Sequence, residues 1–181
     1  MAKSMVASRS ASLDANARDL FDASMRWMED CWDEAAGLLL GTGDAKLTTP
    51  HHAIRGSVWY AFGLLMRNGP NDGARAARVI ERVLNNQLDA PGRIFHGTFL
   101  RAPGEPRPPA DAVIWRDYDP NWREFNITAL ALALLEYNDQ LPAVLAARLD
   151  AAIRKAVAGA RSERSVHQYR ADVRVHALFC R

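Results

Sequence analysis

The sequence predicts an all-α protein built from antiparallel helical hairpins in two layers. Apolar residues recur at spacings of three and four over most of the chain, which is the period of an amphipathic helix. Segments that are apolar on one face also alternate with segments that are apolar on every face. Inner helices covered by outer helices require this alternation, whereas a four-helix bundle does not, because each of its helices keeps one face in water.

Composition favours one domain covering residues 1–181, and a hydrophobic content of 49% is enough for a sizeable core. The 23 Lys and Arg residues nearly balance the 21 Asp and Glu residues and form no basic stripe, so nucleic acid is not an expected partner. Cys31 and Cys180 lie far apart, which argues against a disulfide framework. The chain shows neither a secretory leader nor a membrane span, so we expect a soluble cytoplasmic protein without a membrane partner.

The first predicted helix covers residues 12–36 and is amphipathic. The second covers about 52–67 and has no charge between Arg55 and Arg67, which predicts a helix buried on all sides. The third covers about 72–88 and is amphipathic again.

Residues 89–119 form a long connection with five prolines and three glycines, in which residues 92–100 are predicted to be extended. Loops of this length in a compact domain are usually functional or disordered, and the aromatic residues here favour order. The fourth helix begins near Pro120 with Asp119 as its N-cap and is predicted to be buried on all sides. The fifth helix, at about 142–158, is amphipathic.

Several segments carry a resemblance to a known superfamily, namely "SVWYAFGLLMRN", "AARVIERVLNNQ", "HGTF" and above all "YDPNWREF" followed by "ALALLEY". From Trp32 to Ala158 the chain resembles a largely uncharacterised branch of the six-hairpin glycosidase-like superfamily. The resemblance implies part of an (α/α)6 toroid, with helices for about half of the ring. It also implies a mouth at the N-terminal ends of the inner helices, where glycoside hydrolases and polysaccharide lyases keep their catalytic residues.

Residues 160–181 depart from the pattern expected in that superfamily, because a charge or a histidine stands at almost every third position. One interpretation is a sixth amphipathic helix that buries Val166, Tyr169, Val173 and Ala177. The other is an out-of-frame end, which would make the chain an incomplete copy.

The segment "WRDYDPNWREF" holds most of the candidate site residues. Glycoside hydrolysis needs one carboxyl group that donates a proton and one that stays ionised, so Asp117 and Asp119 are candidate catalytic residues together with Tyr118. Predicted substrate-binding residues in this region are Trp115, Trp122, Arg123 and Glu124. The structural alternative is that Asp119 caps the helix, Arg123 pairs with Asp119 or Glu124, and Trp122 packs between layers.

A second polar group precedes the second helix, in the same topological position. His52 is a candidate general base for a lyase, and Arg55 would neutralise a uronate carboxylate. His96, in the long loop, is a further predicted substrate-binding residue that would close over the mouth. Packing is the alternative for each histidine. No metal or cofactor is expected, because the adjacent His51 and His52 make a poor metal pair.

These features predict a carbohydrate-active enzyme, a hydrolase or a lyase, that binds a saccharide or another small molecule. A non-catalytic binding or assembly module, dimerising through an open helical edge, is one alternative. A toroid enzyme acting on an isoprenoid or another small molecule is the second. Fold alone does not decide between them.

Overall fold

The computed structural model describes residues 9–41 and 51–163 of the chain. Its described part is mostly helical, as predicted, and contains five α-helices. These are α1 (Ala15–Asp30), α2 (Ile54–Arg67), α3 (Asp72–Leu84), α4 (Asn121–Tyr137) and α5 (Ala143–Glu163). Short 3-10 turns cover Arg9–Ser12 and Asn138–Gln140.

A small antiparallel sheet, which the sequence analysis does not predict, accompanies the helices. Its three strands are β1 (Trp32–Asp33), β2 (Leu38–Gly41) and β3 (His51–His52), with β2 in the middle. The first helix therefore ends at Asp30, before the predicted end at residue 36. The reason is local, since the Asp33 carboxylate accepts hydrogen bonds from the N–H groups of Ala35 and Ala36 and forms a turn in place of another helical turn.

The core lies between α2 and its neighbours. Helix α2 packs against α3 on one side and α4 on another, and α4 packs against α5. Tyr60 and Leu64 of α2 have no exposed surface, nor do Val79 of α3 and Leu149 of α5. The consecutive helices α2 and α3, and likewise α4 and α5, are therefore in contact.

Neither α2 nor α4 is buried on all sides, which corrects a second prediction. Trp59 on α2 is 40% exposed, and Leu132 and Leu135 on α4 are 37% and 77% exposed. The sequences of α2 and α4 do not distinguish buried from exposed positions, because apolar residues occupy the water-facing positions as well as the core positions.

The loop between α3 and α4 is ordered by backbone contacts. Leu88 exchanges hydrogen bonds with the Gly97–Thr98 segment, and an isolated bridge joins Gln87 to Phe99 in place of the extended piece predicted at 92–100. Gly97 has φ +76° and lies against the backbone of α5 at Lys155, where a side chain would not fit. This contact attaches the loop to α5, next to the start of α4.

Residues 160–163 continue α5. The two alternatives for the rest of the tail fall outside the described residues. Within those residues, no helix combines the length and the apolar character that crossing a membrane requires.

Candidate functional site

A cleft of about 120 Å³ lies at the N-terminal end of α4, between loop residues 98–108 and residues 115–122. Aromatic and charged side chains dominate its lining. The aromatic residues are Phe99, Trp115, Tyr118 and Trp122, and the charged residues are Arg101, Glu105, Arg116, Asp117 and Asp119. Five of the ten predicted site residues therefore meet here: Asp117, Tyr118, Asp119, Trp115 and Trp122.

Trp115 is held at the cleft in a backbone conformation that side chains disfavour. Its φ is +70°, in the left-handed region, which costs an L-residue about 1–2 kcal/mol. Its indole is nevertheless 59% exposed, so little burial offsets that cost. The N–H of Trp115 donates to the Tyr118 carbonyl at 2.9 Å and closes the turn. Strain of this kind is typical of functional positions.

Asp117 fixes the same turn and carries a stable negative charge. Its carboxylate accepts the Val113 N–H at 2.7 Å and the Arg116 guanidinium at 2.8 Å. Hydrogen bonding from Arg116, and then from the Val113 N–H, lowers the pKa of Asp117 below its ordinary value. At neutral pH this carboxylate therefore acts as a base or a charge, and not as a proton donor.

Asp119 and Tyr118 take part in local hydrogen bonds. The Asp119 carboxylate accepts the N–H of Asn121, the first residue of α4, at 2.9 Å. It thus bonds to the first turn, as a capping residue would, although it stands two residues before the helix. The Tyr118 hydroxyl donates to the Ile94 carbonyl at 3.1 Å, and its ring packs edge-on against Phe95.

The opposite wall comes from the loop after Phe99. Glu105 accepts hydrogen bonds from both the backbone and the guanidinium of Arg101, the latter at 2.6 Å. The Arg101 carbonyl accepts the Ile54 N–H, which attaches this wall to the start of α2. Thr98, also in the lining, is 2% exposed, and its Oγ1 has no hydrogen-bond partner within the described ranges.

The starts of α2 and α4 are adjacent, as the sequence predicts, but the predicted residues of α2 do not line the cleft. The Arg55 guanidinium lies 4.0 Å from the centre of the Phe125 ring. His52 is bound to the Asp33 carboxylate at 2.9 Å. The N–H of Ala36 and then the His52 ring lower the pKa of Asp33. His52 therefore links β3 to the turn that begins at Asp33.

His96, Arg123 and Glu124 also lie outside the lining of the cleft. The His96 Nδ1 accepts the Ala90 N–H at 3.0 Å, which matches the packing alternative. Arg123 is 3% exposed and donates to the carbonyls of Ile94 and His96, so it supports the loop below the cleft. Glu124 faces a separate groove of about 340 Å³ between α4 and α5, which Arg123 also lines.

Sequence reasoning missed four polar residues of the cleft, namely Thr98, Arg101, Glu105 and Arg116. They lie in irregular loop segments, where no helical or strand period marks an inward side chain. The one available signal was the opposite charge of Arg101 and Glu105 four residues apart. In the described residues, no group of three or more His, Cys, Asp or Glu is arranged to hold a metal ion.

A family model described as a domain of unknown function, DUF8769, matches residues 18–173, a span that includes the whole lining of the cleft. Searches of curated proteins and of solved structures find no match.

Proposed function

The chain belongs to the DUF8769 family of domains of unknown function, and from the chemistry of its cleft we propose that it is a carbohydrate-active protein. The cleft at the start of α4 binds a saccharide unit. Trp115, Tyr118 and Trp122 supply rings that stack on the apolar face of a sugar, and the charged lining residues bind its hydroxyl groups.

The exposed, left-handed Trp115 is the observation that carries this proposal. An exposed indole on a strained backbone contributes little to the stability of the fold. Its position at the edge of a polar cleft suits ligand binding, since a sugar ring that stacks on it would cover the exposed indole.

The enzymatic form of the proposal is glycoside hydrolysis or lyase chemistry in the same cleft. Asp117, which is held ionised, suits the base or nucleophile of a carboxylate pair, with Asp119 nearby in sequence. Hydrolysis also needs a protonated partner. In the described lining Glu105 and Asp117 are in ion pairs, and Asp119 accepts a backbone N–H. The geometry therefore favours sugar binding over cleavage as the primary activity.

The proposed architecture is a partial (α/α)6 toroid. Contacts between α2 and α4, with α3 packed on α2 and α5 packed on α4, support an inner layer of two helices and an outer layer. The adjacent starts of α2 and α4 correspond to the mouth of such a ring.

The test is direct binding of saccharides. We expect a glycan array to identify a ligand and calorimetry to show that Trp115→Ala weakens its binding about tenfold, the loss of one stacked ring. Trp27→Ala is the matched control, because Trp27 is 56% exposed but lies on α1, away from the cleft. Absence of any bound glycan, or equal binding by Trp115→Ala and the wild type, would contradict the proposal.

Exposed apolar surface favours self-assembly as a second function. Three large apolar side chains on α2 and α4 are exposed, those of Trp59, Leu132 and Leu135, and we call them the α2–α4 apolar face. Exposed apolar side chains on neighbouring helices are typical of surfaces that associate, so the proposed occupant of the face is a second copy of this chain.

A further inference from the structure

The charges in the cleft do not balance within the described lining. Three carboxylates, those of Glu105, Asp117 and Asp119, face two guanidinium groups. Glu105 pairs with Arg101, and Asp117 pairs with Arg116. Asp119 accepts a backbone N–H and has no described cationic partner. The cleft thus carries a surplus negative charge next to Trp115 and Trp122.

Thr98 gives an independent indication of a ligand. A buried hydroxyl with no hydrogen-bond partner is unfavourable, and the Thr98 Oγ1 is such a group in the lining of the cleft. A ligand with hydroxyl groups would supply the missing hydrogen bond. Aromatic rings beside a carboxylate, in turn, are the surroundings that favour an ammonium group.

From these observations, and resting on the proposed function, we infer that the saccharide is an amino sugar whose free ammonium group pairs with the Asp119 carboxylate. The sugar ring stacks on Trp115, and its hydroxyl groups satisfy the polar lining. Long-range attraction does not account for such a preference, because the whole chain carries a formal net charge of +2. The preference for a cation must arise in the cleft itself.

Three β-1,4-linked tetramers separate this inference from the proposed function: glucosamine, N-acetylglucosamine and glucose. They share ring size and linkage, and only the first carries ammonium groups. By calorimetry at mildly acidic pH and low salt, where the amines are protonated, we expect the glucosamine tetramer to bind at least about tenfold more tightly than the other two, the usual effect of a charge-assisted hydrogen bond.

Asp119→Asn tests the named partner, because its side-chain oxygen can still accept the Asn121 N–H. We expect the variant to lose the preference, so that it binds the glucosamine and glucose tetramers equally. Asp111→Asn is the control, since Asp111 is exposed in the same loop and lies outside the lining. That control should keep the preference.

The outcomes distinguish the two proposals. Equal binding of all three tetramers, or a preference that survives Asp119→Asn, overturns the amino-sugar assignment and leaves saccharide binding standing. If no tetramer binds and the glycan array is blank, both proposals are wrong.

Discussion

Trp115 combines backbone strain with exposure, and this combination allows a functional role to be separated from a structural one. Glycine adopts the left-handed region freely, so Trp115→Gly relieves the strain while it removes an indole that packs little. We expect its free energy of unfolding in urea to be within about 1 kcal/mol of the wild-type value, or higher. Trp27→Gly, at a similarly exposed position inside α1, should lose about 1 kcal/mol. A larger loss for Trp115→Gly than for Trp27→Gly would make Trp115 a structural residue.

We expect the contribution of Asp117 to the free energy of unfolding to depend on pH. Its folded pKa is lowered, so its contribution is fully present above the ordinary aspartate pKa of about 3.9 and is lost as the pH falls through the folded value. We expect Arg116→Ala to raise the pKa of Asp117, as measured by a carbon-13 NMR titration of the carboxyl group. The stability difference between the wild type and the variant should shrink below about pH 4. An unchanged titration of Asp117 in the variant would show that Arg116 does not hold the charge.

At the scale of elements, the loop below the cleft depends on close contact with α5. A Cβ at Gly159 would overlap the His96 carbonyl oxygen, so Gly159→Ala must displace the loop or the helix. We expect a loss of about 1–3 kcal/mol in urea unfolding. Gly73→Ala is the control. Gly73 lies in the first turn of α3, and among the described residues a Cβ there meets one atom, at 4.0 Å, so the substitution should stabilise the protein by about 0.4–1 kcal/mol. Similar effects of the two substitutions would contradict this packing.

Helix periodicity predicted the existence and order of the five α-helices, because local spacing determines which face a helix can bury. It failed where contacts are distant in sequence. The Trp32–Asp33 strand forms because Leu38 and Leu39 pair with it. The sequence around these two short segments does not alternate between apolar and polar residues as a strand would. The exposure of Leu135 was also not predictable, since an apolar position shows no sign of whether a neighbour covers it.

The same limit applies to the candidate site. The segment from Trp115 to Trp122 was found because dense aromatic and acidic residues precede an apolar helix. The opposite wall, with Arg101 and Glu105, was not found because a tertiary contact brings it there. The surroundings of His52 also depend on a tertiary contact. Its position before α2 is as predicted, but the sheet directs it to Asp33.

For the whole molecule, the α2–α4 apolar face predicts association. We expect light scattering after gel filtration to give about twice the chain mass of 20.1 kDa for the wild type and the single mass for Leu135→Glu. Val144→Glu on α5 is the matched control, because both side chains are 77% exposed but Val144 lies off this face. A monomeric wild type, or a dimer that survives Leu135→Glu, would contradict assembly through this surface.

The most direct test of sugar binding at the cleft is an NMR titration of the tryptophan indole N–H signals. Each signal is assigned by a single Trp→Phe variant, and the glucosamine, N-acetylglucosamine and glucose tetramers are added in turn. We expect the signals of Trp115 and Trp122 to move with at least one tetramer while those of Trp27 and Trp59 stay in place. Indole signals that all stay in place, or a change confined to Trp59 on the apolar face, would contradict saccharide binding at the start of α4.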